Sequence, residues 1–189
     1  MQINEEIHLA YCTNIHRGEG WQETFQGLKE YSLKVKDKVS NTDPFAIGLR
    51  LGYKAALELS EEGSGRIDEF IKWLDDNNCY VFTINGFPYG QFHGARVKEQ
   101  VYRPDWTSNS RLEYTNLLFD ILSKILPDGM SGSVSTLPGS FKEFITNEEE
   151  QGEMIVNNLG RCGHYINQLC EKNGKDLHLG LEPEPLGWF

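Results

Sequence analysis

Leu177-His178-Leu179-Gly180-Leu181-Glu182-Pro183-Glu184-Pro185 decides the fold of this chain. It reads as an apolar strand that stops at a carboxylate, Glu182, with a proline directly after it. Pro183 has no N–H to give a sheet ladder, so the strand ends there and the chain leaves as a loop. An acid at the carboxyl end of a buried strand is where α/β barrels and open α/β sheets place their chemistry.

Working outward, the stretch before this strand carries an apolar stripe of Met154, Ile155, Leu159, Cys162, Tyr165, Ile166 and Leu169. That spacing predicts a helix over 147–172, stopped by Asn173-Gly174-Lys175. Further back, the same alternation repeats. Strands are expected over 7–15, 45–51, 79–84 and 132–137, and helices over 21–36, 53–60, 67–74 and 112–125. The segment from Asn85 to about Ser108 has no sustained period yet is rich in aromatic and polar residues, as lids and binding loops often are. Alternating strands and helices imply a parallel sheet with right-handed crossovers, all five strand ends lying on one rim. That rim is expected to gather Asn14 and His16, Arg50, Asn85 and His93, Thr136 and Ser140, and Glu182 and Glu184.

The chain has 189 residues, enough for one α/β domain over 1–189 with a sizeable core. Eighteen basic residues against 28 acidic ones give a net charge of −10. Such a surface repels nucleic acid and anionic membranes, and no basic run offers an exception. No apolar stretch approaches the ~20 residues that span a bilayer, and there is no signal-peptide pattern at the N-terminus. Cys12, Cys79, Cys162 and Cys170 lack the C-x-x-C spacing of a zinc or redox motif. They read as buried reduced thiols of a cytoplasmic protein, a disulfide framework or zinc site being the weaker reading.

Five short motifs carry a resemblance. They are Tyr11-Cys12-Thr13-Asn14-Ile15-His16 with Gly18-Glu19 and Trp21, Thr83-Ile84-Asn85-Gly86-Phe87-Pro88-Tyr89-Gly90, Val101-Tyr102-Arg103-Pro104-Asp105-Trp106, Ser135-Thr136-Leu137-Pro138-Gly139-Ser140, and Leu179-Gly180-Leu181-Glu182-Pro183-Glu184-Pro185. In this order at strand ends, they resemble the xylose isomerase-like TIM barrels of the sugar phosphate isomerase/epimerase superfamily. The closest likeness is to the EboE family of metabolite-traffic proteins. The resemblance implies a (β/α)8 fold of which this chain holds the first five βα units, and it implies that Glu182 occupies a metal-ligand position. The remaining ligands of that superfamily belong to strands six to eight, so the chain is expected to be the N-terminal half of a barrel. Two bare sheet edges and a bare inner face then call for a homodimer or higher assembly if the chain is complete.

The implied chemistry is metal-assisted isomerisation or epimerisation of a small sugar or other polar metabolite, or a role in moving such a metabolite. The alternative is a non-catalytic metabolite-binding or assembly protein. Glu182 and Glu184 are the candidate ligands for Mn²⁺, Mg²⁺ or Zn²⁺, hard oxygen donors suiting such ions. The bland reading of Glu182 is a carboxylate paired with Arg50 or solvated. Glu182 and His16 are the candidate proton carriers. Asn14, Asn85, Tyr89, His93, Arg103, Asp105, Trp106 and Thr136 are the candidate substrate contacts. Arg103 has the fork that grips phosphate or carboxylate, unless it pairs with Asp105 while Trp106 serves as a hydrophobic anchor. His8, His164 and His178 read as structural.

Overall fold

A computed structural model describes residues 1–4, 7–40, 42–90 and 98–188. Among these residues seven strands form: β1 Ala10–Cys12, β2 Phe45–Arg50, β3 Cys79–Asn85, β4 Ser131–Thr136, β5 Ser140–Phe141, β6 Asp176–Leu181 and β7 Gly187–Trp188. Helices run as α1 Trp21–Gly27, α2 Leu33–Val39, α3 Tyr53–Ser60, α4 Arg66–Asp76, α5 Asn109–Ile125 and α6 Glu148–Asn173. A π-turn over Leu28–Ser32 joins α1 to α2 without a break. The main sheet has the order β1-β2-β3-β4-β6, every pair parallel. Its ends are β1 and β6, so among the described residues the sheet is open rather than closed into a barrel.

Neighbours in the sheet are neighbours in the sequence. Right-handed crossovers between them therefore lay every helix on the same face. α4 and α5 pack on β3, α5 on β4 and α6 on β6. The side chains on that face, such as Ile47, Leu49, Val81, Ile84 and Val134, are wholly buried. Gly132 lies there too, where a Cβ would press on Leu122, Leu126 and Leu177. Apart from Tyr80 and Phe82 of β3, side chains on the other face alternate with these and are small or polar: Ala46 and Gly48, Thr83 and Asn85, Ser131, Ser133 and Ser135, then Asp176, His178 and Gly180. A register shift between Ala46 and Gly48 marks a bulge that adds one residue to β3, turning Phe82 toward His8 and Tyr80.

The long helices start and stop where their sequence signals lie. Ser108 caps α5 by accepting from Ser110 N, and Leu126 before Pro127 ends it. Asn147 caps α6, whose first turn carries Glu148, Glu149 and Glu150 at the positive end of the helix dipole. Gly174, with φ 62°, closes α6 in the left-handed conformation.

Several expectations need correction. The first strand is short: Thr13–Ile15 coils into a 3₁₀ turn instead of extending to residue 15. The segment expected to be without structure holds a 3₁₀ turn over Lys98–Tyr102. β5 and β7 form an antiparallel pair that periodicity cannot reveal, because two-residue strands carry no period. Cys12 is exposed rather than buried. Cys79 and Cys162 are buried, and burial pushes their thiols up to about 11 and about 12.

Candidate functional site

At the carboxyl ends of β3, β4 and β6, three side chains meet on the helix-free face. Glu182 is half-buried just past β6, and its backbone N–H donates to Thr136 O at 2.9 Å, extending the ladder by one residue. Asn85 Nδ2 donates to Glu182 Oε1 at 3.3 Å, and Ser135 also hydrogen-bonds the carboxylate. Asn85 is itself fixed, because its Oδ1 accepts from Phe87 N at 3.2 Å. Burial holds the Glu182 carboxyl above the usual range and nearby Glu184 adds to this, while the Ser135 bond opposes it.

Hydroxyls continue below this cluster. Register places Thr83, Ser133 and His178 side by side across β3, β4 and β6, with Asn85, Ser135 and Gly180 forming the next row. Ser133 Oγ donates to Thr83 Oγ1 at 2.8 Å, and His178 Nδ1 lies 3.5 Å from Ser131 Oγ. The helix-free face is thus a grid of hydroxyl, amide, imidazole and carboxylate groups. Of these, the sequence pointed to Asn85 and Glu182 as site residues and to His178 as structural, while Ser131, Ser133, Ser135 and Thr83 had no role at the site. Their signal was present in Ser131-x-Ser133-x-Ser135 and Asp176-x-His178-x-Gly180-x-Glu182, where the polar residues recur every second position.

The other named residues are placed elsewhere. His16 turns to the helix side, where its Nε2 lies 3.0 Å from Tyr11 OH and its ring stacks on Tyr31 at 5.0 Å. Burial lowers its pKa. A groove of about 690 Å³ opens beside it, lined also by Gln22, Glu23, Gln26 and Glu30. His16 is therefore no partner of Glu182, because the 3₁₀ turn carries it over the edge of the sheet. Asn14 is half-buried within that turn. Arg50 makes no ion pair with Glu182: its guanidinium donates to Gly18 O and Gly90 O at 3.3 and 3.1 Å.

Tyr89 stacks on Tyr53 at 4.7 Å and meets Tyr114 edge-on at 5.1 Å, as part of the packing around α5. Arg103 is exposed, with its guanidinium 4.0 Å over the Phe144 ring, and it forms no ion pair with Asp105. Asp105 is buried and accepts from Thr107 N at 3.0 Å and from the hydroxyls of Thr107 and Ser140. Trp106 is fully buried, a hydrophobic anchor as its bland reading had it. Thr136 points to the helix face and is fully buried, leaving only its carbonyl at the site. His93 lies outside the described residues.

Arg111, unremarked in the sequence, is fully buried and donates to Pro104 O and Gly86 O, both at 2.8 Å. It ties the exit of β3 to the approach to α5, and burial brings its pKa down to about 10. No helix among the described residues is long and apolar enough to cross a membrane. Comparison with protein-family profiles, curated proteins and solved structures finds no match to this chain.

Proposed function

We propose that the chain binds a small polyhydroxy metabolite, a sugar or sugar-like compound, on the helix-free face of its sheet. Glu182 is the acid–base group in this reading. One observation carries it: a half-buried carboxylate with a raised pKa, held by Asn85 and Ser135 above rows of hydroxyls. Paired donors and acceptors of this kind suit a polyol, which offers the same groups in return. A carboxyl drawn upward toward neutrality is suited to taking and returning a proton, as isomerisation or epimerisation requires. The motif resemblance to xylose isomerase-like barrels and to the EboE family supports the same substrate class.

Glu182 is also the residue that would meet a divalent Mn²⁺, Mg²⁺ or Zn²⁺. Such ions take about four to eight ligands, mostly oxygen for Mg²⁺ and Mn²⁺. Among the described residues no group of three or more His, Cys, Asp or Glu gathers to hold one, and Glu184 is exposed on the turn after Glu182. These residues alone do not build a metal centre.

Non-catalytic binding is the second reading. It is favoured by the placement of His16 on the helix side, which leaves Glu182 without the second proton carrier expected of it. Titration of a panel of sugars and sugar phosphates against ¹⁵N-labelled protein tests both. Shifts confined to β3, β4 and β6 and lost in Glu182→Gln support the site. Turnover of any panel member separates the enzyme from the binder. Shifts absent, or clustered elsewhere, refute the site.

A further inference from the structure

We propose that the outer edge of β6 docks a second copy of this chain, pairing antiparallel about Gly180 and setting His178 of the partner subunit beside Glu182. The two edges of the sheet are not alike. The strand edge leading into β1 is covered by the chain's own first residues. Met1 N donates to Leu9 O at 2.7 Å, Leu9 N to Met1 O at 2.8 Å and Ile3 N to Ile7 O at 2.8 Å. β6 has no such cover among the described residues. Glu182 N–H points inward to Thr136, so by alternation the N–H and C=O groups of Leu179 and Leu181 point outward. Leu181 is 40% exposed there. Cys170 Sγ reaches Leu177 O at 3.9 Å, but the outward groups of Leu179 and Leu181 are uncovered among the described residues, and such an edge beside apolar side chains is a template for another strand.

Self-complementarity selects the occupant. An isologous pair places the same edge on both sides of a two-fold axis. Centred on Gly180, Leu179 of each copy exchanges hydrogen bonds with Leu181 of the other, and His178 stands opposite Glu182 twice. Gly180 then faces itself as a non-hydrogen-bonded pair, where backbones approach to about 4.5 Å. A Cβ at Gly180 meets nothing within 4 Å in this chain, so the space is open. Centring on Leu179 instead sets Asp176 against Glu182, two like charges. Centring nearer the start of β6 is blocked, because Lys175 is committed to Leu126 O and Asp128 at 2.9 and 2.7 Å. Pro183 ends the ladder on the far side. The role of His178 at Glu182 rests on the reading of Glu182 given above, whereas the docking stands on the strand edge itself.

Light scattering behind gel filtration of the full chain is expected to give twice the 21.6 kDa mass. A monomer at every concentration would mean that the edge takes some other strand, and overturns the proposal. Leu181→Pro deletes an outward N–H that the β4 ladder does not use, so it should leave the circular dichroism unchanged and abolish the dimer. A surviving dimer refutes the edge. His178→Glu puts like charges opposite each other and should weaken the dimer about tenfold or more, with Glu182→Lys added to it restoring the pair. Indifference to both changes refutes the Gly180 register. A dimer that binds no sugar upholds the docking and overturns only the metabolite reading.

Discussion

Asn85 and Glu182 stand 97 residues apart in sequence, yet the amide of one donates to the carboxylate of the other at 3.3 Å. Parallel strands in sequential order make that meeting possible, since β3 and β6 deliver their last residues to the same rim with β4 between them. The carboxylate gains two donors but loses part of its hydration. Desolvation, with the nearby Glu184 charge adding to it, holds its pKa above the usual range against the Ser135 hydrogen bond.

A stability signature follows. A carboxyl whose folded pKa lies above the reference 4.5 binds its proton more tightly folded than unfolded, so folding stability falls as pH rises through the window above 4.5. Glu182→Gln removes that titration and keeps the rest of the acidic surface. The variant should melt higher than the parent at pH 7, and the gap should close as pH falls toward 4.5. A gap that is constant with pH, measured by differential scanning calorimetry, contradicts the raised pKa.

His16 has the opposite sense. Burial lowers its pKa from 6.5, so the unfolded chain takes up the proton first as pH falls. Its contribution is undiminished above pH 6.5 and is lost as pH drops through the window below that value. Carbon-13 imidazole titration is expected to give a midpoint under 6.5, and replacing His16 with Gln should flatten this part of the stability profile. A midpoint at or above 6.5 would place the ring in water rather than between Tyr11 and Tyr31.

Gly86 follows Asn85 directly and has no room for a side chain. A Cβ there would run into Leu118 Cδ1 and come within 3.1 Å of Ser135 O. Leu118 is fully buried and cannot retreat. Gly86→Ala should therefore cost about 1–3 kcal/mol in urea unfolding, the usual penalty of overpacking. Because Gly86 N also donates to Ser135 O at 2.8 Å, the damage should reach Asn85 and Ser135 and weaken ligand shifts along with stability.

The order of strands and helices was legible because each carries its own period. A seven-residue run such as Cys79–Asn85 or a stripe through α6 declares itself locally. The position of Glu182 was legible for the same reason, as the residue where an apolar run meets a proline. Side-chain direction was harder. Thr136 and Ser135 are adjacent at the end of β4, and only the pleat decides that Ser135 reaches Glu182 while Thr136 is buried under the helices. His16 was misplaced because a 3₁₀ turn rotates the chain about 120° per residue and leaves no signature in three residues. Arg111 was invisible because its partners are carbonyls, which every residue has.

Arg111 invites its own test. It is a buried cation with no carboxylate within ion-pair distance among the described residues, held by two carbonyls and flanked by the rings of Tyr89 and Tyr114 at 5.8 and 5.4 Å. Arg111→Ala leaves a cavity and takes the side-chain donor from the buried Gly86 O and the part-buried Pro104 O, and should destabilise by about 3–5 kcal/mol. Arg111→Met fills the cavity and buries no charge, so its cost in urea unfolding should be clearly smaller. Equal losses would show that the hydrogen bonds outweigh both packing and desolvation.

Asp105 is where the 98–108 segment is locked to the β5–β7 pair. Asp105 is 5% exposed, and its carboxylate accepts from Ser140 in β5 on one oxygen and from Thr107 on the other. Trp106 N, next along the chain, donates to Gly139 O at 3.1 Å, so the two segments are held by backbone as well. Ser140→Ala removes one donor from a buried charge and should cost about 1–3 kcal/mol. Asp105→Asn should cost a similar amount, because an amide presents N–H groups where only donors surround it. If the two side chains act as one unit, the double variant loses far less than the sum, with a coupling of about 1–3 kcal/mol in a double-mutant cycle. Simple additivity would mean that the backbone contacts and buried Trp106 hold the segments together on their own.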